Sequence, residues 1–115
     1  MKNFLLLVWL LGACVVVHDD VEALLARGQG EQALRKLAQD EAFLAHQAPS
    51  EQARHGLLRG LAHLSLGDRQ TARWWLFQAR AVVDREPEAL SPLDRARLLD
   101  ALHSLDGPLP SRWLH

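Results

Sequence analysis

An evenly repeated spacing of small residues constrains this chain most. Ala23, Ala62 and Ala101 are separated by equal intervals, and the same interval separates Gly28 from Gly67. Each glycine follows a run of apolar and small residues, and a glycine in the left-handed conformation commonly ends a helix. The spacing therefore predicts a unit of one helix, a tight turn and a second helix, present about two and a half times.

Capping and helix-breaking residues divide the chain into five predicted helices. No segment has the alternating pattern of a strand. Ser50, Asp68 and Ser91 can each cap a helix, and Pro92 suits a first helical position. A single helical hairpin cannot bury its own apolar faces, so neighbouring hairpins have to share a core. We therefore expect an all-α fold, with helices over residues 21–27, 31–46, 51–66 and 69–85 and a fifth that ends near Leu105.

Small residues at fixed places give the second unit a family likeness. Gly60, Gly67, Ala72 and Ala79, with Leu76 between the two alanines, allow two helices to approach closely around a glycine turn. The segment 53–87 thereby resembles a tetratricopeptide repeat, although the spacing between units exceeds the family's usual length of about 34 residues. The resemblance implies a peptide-binding groove lined by the first helix of each hairpin. In this unit that implicates Arg54, Leu57, Leu61, Leu64 and Ser65.

The amino terminus has the pattern of a secretory signal. Lys2 precedes an unbroken apolar run over residues 4–11, and the small residues Gly12 and Ala13 follow it. A charged start, an apolar middle and small residues before a cleavage site are typical of such signals. A membrane-spanning helix requires roughly 20 apolar residues, which is more than this run supplies.

Cys14 follows these small residues, and Leu11-Gly12-Ala13-Cys14 resembles the lipobox of bacterial lipoproteins. The resemblance implies cleavage between Ala13 and Cys14, acylation of the Cys14 thiol and a permanent lipid anchor. Val15 in place of aspartate favours the outer membrane, with the domain facing the periplasm. The alternative is an ordinary buried cysteine in an uncleaved or conventionally cleaved signal. We expect a signal peptide at 1–13, a lipidated tether at 14–20, a helical domain at 21–107 and a tail at 108–115.

Charge and side-chain chemistry exclude several function classes. Thirteen basic residues against fourteen acidic ones give a net charge of −1, which argues against nucleic-acid binding. The single cysteine cannot form a disulfide within the chain. His55 and His63 lie on one helical face but about 12 Å apart, too far to share a metal ion. We expect surface histidines, no cofactor, no metal and no enzymatic activity.

Aromatic residues crowd one turn of the fourth helix. Trp74 and Phe77 point away from the expected core, and Arg73 and Arg80 lie at their rim. Two interpretations are open: the aromatic side chains pack against neighbouring hairpins, or they form a patch that faces a protein partner or a membrane. Tryptophan and arginine are the residues most enriched at binding hot spots.

The sequence therefore predicts a lipid-anchored envelope adaptor, which binds another protein through a helical-repeat surface. One alternative is a pilotin, a small lipoprotein that helps to assemble an outer-membrane secretion or pilus complex. A second alternative is an envelope protein with a ligand-binding or enzymatic site between its helices. A third is a purely structural stabiliser of a larger membrane complex.

Overall fold

The computed structural model describes residues 20–106, apart from the side chains of 43–45. All regular structure in this range is helical, which confirms the all-α prediction. Helix α1 covers 20–26, and the four longer helices are α2 (Gly30–Asp40), α3 (Pro49–Ser65), α4 (Arg69–Arg85) and α5 (Pro92–Leu105). Two 3₁₀ segments, Glu41–His46 and Pro87–Ala89, precede α3 and α5.

The same turn occurs twice, once in each of the first two units. Gly28 and Gly67 have φ angles of +74° and +79°, the left-handed conformation predicted for Gly67. In each turn the amide after the glycine donates to a carbonyl five residues earlier in the chain, which closes the helix end. These pairs are Gln29–Leu24 at 2.8 Å and Asp68–His63 at 2.9 Å. The repeat is therefore structural as well as sequential.

Helices α3 and α4 form a closely packed antiparallel hairpin because small residues line their contact. Ala72 and Ala79 are fully buried between them. A Cβ atom at Gly60 would lie 2.5 Å from both Cγ and Cδ2 of Leu76, so no larger residue fits there without movement. The predicted role of these small positions in helix approach is confirmed.

Helix α3 lies at the centre and faces two apolar clusters. Leu57 points into the larger cluster and Leu58 into the smaller one, and both are fully buried. The larger cluster lies between α3, α4 and α5, and the smaller between α1, α2 and α3. The hairpins thus share a core, as helical-repeat packing requires. Principal members of the larger cluster are Ala53, Leu57, Leu76, Ala79, Leu98 and Leu102, and those of the smaller are Val21, Ala33, Leu37, Leu58 and Ala62.

Two of the predicted helix starts are confirmed by their hydrogen bonds. The Asp68 carboxylate accepts from the Thr71 amide at 3.3 Å, and the Ser91 hydroxyl accepts from the Asp94 amide at 3.1 Å. The predicted cap at Ser50 is wrong, because α3 begins at Pro49. Proline has the φ angle of a first helical residue and needs no amide partner there.

The predicted continuous helix over 31–46 is also wrong. The α-helix ends at Asp40, and the chain tightens into a 3₁₀ segment over Glu41–His46. Such tightening is common at helix ends. Here it accompanies an ion pair, because Glu41 Oε2 lies 3.2 Å from Arg59 Nη1 of α3.

Candidate functional site

The outward side of α4 carries an aromatic stripe, which we define as Trp74, Phe77 and Ala81. Trp74 is 55% exposed and Phe77 44% exposed. Spacings of three and four residues place the three side chains on one helical face. Leu76, between the two aromatics in sequence, is fully buried on the opposite side. In the described fold, the two large aromatic side chains therefore face outward rather than into the shared core.

The two arginines predicted at the rim have different surroundings. Arg73 Nη2 donates to the Leu105 carbonyl at 3.2 Å and lies 3.7 Å from the Asp106 carboxylate. Arg73 therefore holds the last turn of α5, where free carbonyls attract a cation. Arg80 is half exposed and lies 3.9 Å from Asp84, a weak pair on the same helix. Of the two, Arg80 is the cation more available to a ligand.

Trp75 anchors the stripe to the hairpin. Its ring contacts Trp74 edge to face, with centroids 4.7 Å apart. The Arg59 guanidinium carbon lies 4.4 Å from the Trp75 ring centroid, and the centroids of the His55 and Trp75 rings are 5.5 Å apart. Cation–π and edge-to-face contacts orient aromatic rings as well as burying them. Trp74 is thus exposed but positioned by a half-buried neighbour.

A groove of about 400 Å³ runs beside Trp74, between α4, α3 and the 3₁₀ segment at Glu41–His46. Gly56 forms part of its wall. The α3 and α4 helices are close together at this point, since a Cβ at Gly56 would lie 3.1 Å from the Trp75 carbonyl oxygen and 3.2 Å from Ala79 Cβ. Both apolar and polar groups line it, so the groove extends the stripe into a mixed surface. Its lining residues are Glu41, Gln52, Gly56, Trp74, Trp75, Gln78, Ala81, Val82 and Arg85.

The residues implicated by the tetratricopeptide resemblance do not form an open apolar groove. Leu57 is fully buried, and the half-buried Leu61 and Leu64 pack against the larger core cluster. The Ser65 hydroxyl donates to the Ala62 carbonyl at 2.7 Å, close to where Gly30 begins α2. Leu57 is therefore a core residue, and Ser65 lies at the contact between two helices.

Arg54, the last residue of that set, belongs to a charge network that sequence reasoning missed. We define the network as Glu22, Arg54, Asp94 and Arg97, contributed by α1, α3 and α5. Arg97 makes a two-bond contact with the Glu22 carboxylate at 2.9 and 3.1 Å, and its Nη1 also donates to Asp94 at 3.0 Å. Arg54 lies 3.5 Å from Glu22 and 3.7 Å from Asp94. The network therefore connects the first helices of all three units.

The contacts of the charge network shift the pKa of one of its members, Arg97. Hydrogen bonding to Glu22 raises the pKa of the Arg97 guanidinium, against the opposing effect of partial burial. Asp94 is only 8% exposed, and the guanidinium groups of Arg97 and Arg54 lie 3.0 and 3.7 Å from its carboxylate oxygens. The sequence signal was an acid or an arginine on each first helix, but α1 and α5 are 75 residues apart at the Glu22–Arg97 contact. The pairing could not be read from spacing.

Two histidines have defined environments. His55 is 3% exposed, so the expectation that it covers the helix surface is wrong, and it packs beside Trp75. His63 Nδ1 lies 3.5 Å from the Asp68 carboxylate, yet burial lowers the His63 pKa below its ordinary value. The pKa of Asp68 is lowered chiefly by its hydrogen bond to Thr71. This pair links the end of α3 to the start of α4.

The predicted cleavage and acylation site at Ala13 and Cys14 lies outside the described residues, as do the signal peptide and all but residue 20 of the tether. The predicted tail at 108–115 lies outside them as well. From residue 20 to residue 106, no helix has both the length and the apolar character needed to cross a bilayer.

Comparison with known proteins adds no family to this description. No family model, no curated protein and no solved structure matches the chain.

Proposed function

We propose that the protein is a lipid-anchored adaptor of the bacterial envelope that binds a protein partner through the aromatic stripe of α4. The observation that carries this proposal is the exposure of Trp74 and Phe77, at 55% and 44%, on one face of a well-packed helix. Large aromatic side chains gain most from burial, and a cluster of them at the surface marks an interaction site.

The surroundings of the stripe suit protein recognition. Trp74 is oriented by Trp75, and Trp75 in turn by Arg59, so the exposed ring is held by the hairpin. A side chain that is already ordered loses little entropy on binding. The adjacent groove offers Gln78 and Arg85 as polar groups at the edge of an apolar centre. An apolar centre with a polar rim is the usual anatomy of a protein interface.

The ion pairs of the first-helix face favour this location over the groove implied by the tetratricopeptide resemblance. Glu22 and Arg97 already satisfy one another there, and a ligand would have to displace charged hydrogen bonds. The stripe requires no such displacement.

The anchor part of the proposal rests on Leu11-Gly12-Ala13-Cys14. Two or three acyl chains at Cys14 would hold the domain at the membrane surface, because each buried methylene contributes about 0.8 kcal/mol. Cys14→Ser, compared with the unchanged chain in cells fed labelled palmitate, tests this part separately. Label on the unchanged chain and none on the variant supports the anchor, and an unlabelled chain contradicts it.

The binding part is tested by co-purification after cross-linking in intact cells. We expect a stoichiometric partner to be retained by the unchanged chain and by the control Leu99→Ala, whose leucine is 58% exposed on α5. Trp74→Ala should weaken partner affinity about 30-fold, the effect of losing a hot-spot side chain worth about 2 kcal/mol.

Circular dichroism of each variant supplies the folding control. Equal capture by Trp74→Ala and the unchanged chain, at equal helicity, would contradict the stripe as the binding surface. Absence of any stoichiometric partner would instead favour a ligand-binding or enzymatic protein.

A further inference from the structure

We propose that the partner segment that docks on the aromatic stripe is an amphipathic helix whose apolar face is flanked by acidic residues. This inference rests on the function proposed above and deepens it, because it states the chemistry of the partner at the same surface. Two observations carry it: the distribution of charge around the stripe and the shape of the surface that bears it.

Helix α4 is basic, whereas the rest of the described domain is acidic. The 17 residues of α4 include four arginines and one aspartate. The other described residues, between positions 20 and 106, include seven basic and twelve acidic ones. A local excess of one charge attracts segments of the opposite sign and repels segments of the same sign. The stripe therefore lies on the most basic helix of the described fold, where an acidic partner is favoured.

Exposed arginines flank the stripe on both sides. A helix turns about 100° per residue, which places Arg80 on one side of the stripe, next to Phe77, and Arg85 on the opposite side, next to Trp74. The Arg80 guanidinium has only its weak pair with Asp84. Arg85 lines the groove beside Trp74, and no ion pair joins it to another residue of the described range. An apolar strip with a cation on each side is complementary to one with a carboxylate on each side.

The shape of the surface favours a helix over an extended peptide. The backbone groups of α4 are bonded within the helix, so α4 offers no strand edge to an extended chain. A partner helix satisfies its own backbone and presents side chains at spacings of three and four residues, the spacing of Trp74, Phe77 and Ala81. The groove of about 400 Å³ beside Trp74 has room for a side chain that protrudes from such a helix.

An anionic bilayer is the competing ligand for a surface of aromatic and basic residues. A bilayer surface is flat and would leave the concave groove beside Trp74 unfilled. Asp84 also lies on the exposed side of α4, 3.9 Å from Arg80, and anionic headgroups would repel it. A partner helix avoids this repulsion, because it can place carboxylates beside Arg80 and Arg85 and none beside Asp84.

Binding of two designed peptides to the full chain in phosphatidylcholine vesicles tests this inference. The probe is a stapled helix of about five turns, with leucine along one face and glutamate on both flanks. The control peptide has lysine in place of every glutamate. Fluorescence anisotropy of a dye on each peptide measures the two affinities. We expect the glutamate peptide to bind at least about tenfold more tightly, since two attractive charge pairs replace two repulsive ones.

Charge reversal on α4 assigns this preference to the flanking arginines. Arg80→Glu/Arg85→Glu should reverse the preference, so that the lysine peptide binds more tightly. The matched control Arg27→Glu/Arg35→Glu changes the net charge equally at two exposed residues outside α4, and should keep the preference for glutamate. Arg73 is left unchanged because it holds the last turn of α5. Circular dichroism checks that both double variants retain the helicity of the unchanged chain.

Absence of binding by the glutamate peptide, or equal binding of both peptides, would overturn the inference. Equal binding that Trp74→Ala abolishes would remove only the acidic partner and leave the stripe as a protein-binding surface. A preference for glutamate that Trp74→Ala leaves unchanged would instead contradict the stripe, and with it the proposed function.

A photoreactive phenylalanine analogue at Phe77 separates the helix from the bilayer. The full chain is placed in vesicles that contain phosphatidylglycerol, and the glutamate peptide is added before illumination. We expect adducts with the peptide, identified by mass spectrometry. Adducts with lipid alone would show that an anionic bilayer covers the stripe, and would overturn the inference.

Discussion

The two sides of the hairpin stack differ in their surfaces: one carries charged groups that pair with one another, and the other carries exposed apolar side chains. On the first-helix face, Glu22, Arg54, Asp94 and Arg97 neutralise one another across three helices. On the outward face of α4, Trp74 is exposed to more than half of its area. The comparison shows that a helical-repeat architecture does not by itself place a binding site. Here the face with unsatisfied apolar surface belongs to a second helix of a hairpin.

The largest expected difference in stability between the core and the exposed stripe is found at two neighbouring residues of α4. Leu76 is fully buried and Phe77 is 44% exposed. Leu76→Ala should lower the free energy of unfolding by about 3 kcal/mol, because it removes core contacts and leaves a cavity. Phe77→Ala should lower it by less than about 1 kcal/mol. Urea denaturation measures both, and similar losses for the two variants would place Phe77 in the core.

The charge network offers a smaller effect on the other face. Arg97→Gln should lower the free energy of unfolding by about 1–2 kcal/mol, since Glu22 and Asp94 would lose a partly buried partner. The matched control Arg80→Gln, in an exposed pair within one helix, should cost less than about 0.5 kcal/mol.

A double-mutant cycle with Glu22→Gln separates the ion pair from other losses. We expect the double variant Glu22→Gln/Arg97→Gln to be less destabilised than the sum of the single changes. Strict additivity would show that the network contributes no coupling between α1 and α5.

The smallest effect concerns pH at the junction of α3 and α4. Burial lowers the His63 pKa, so the unfolded chain binds a proton more readily than the folded chain. Stability from this residue is therefore complete above the ordinary histidine pKa of about 6.5 and declines as pH falls toward the lower folded value. His63→Phe should make the unfolding free energy less dependent on pH between about 7 and 5. An unchanged slope in denaturation measurements would contradict this origin.

Local chemistry made much of the fold predictable. The left-handed turn at Gly67 and the caps at Asp68 and Ser91 depend on residues within a few positions, so the sequence signal was direct. The start of α3 was misplaced because both Pro49 and Ser50 carry start signals, and the chain follows the proline.

The site was less predictable because it depends on contacts between distant segments. The sequence showed that large aromatic residues crowd together at Trp74 and Phe77. Which face of each helix stays exposed, however, depends on how Leu57 and Leu76 pack in the core. The Glu22–Arg97 pair joins residues 75 positions apart, and no local pattern encodes it. The burial of His55 likewise follows from Trp75 on the neighbouring helix.

Site-specific photo-crosslinking in living cells tests the central claim most directly. A photoreactive phenylalanine analogue is placed at Phe77 on the stripe or at Glu51, an exposed residue beside Arg54 on the first-helix face. We predict one discrete crosslinked protein species from position 77 and none from position 51. A species formed from position 51 alone would contradict the account and return the binding surface to the first helices.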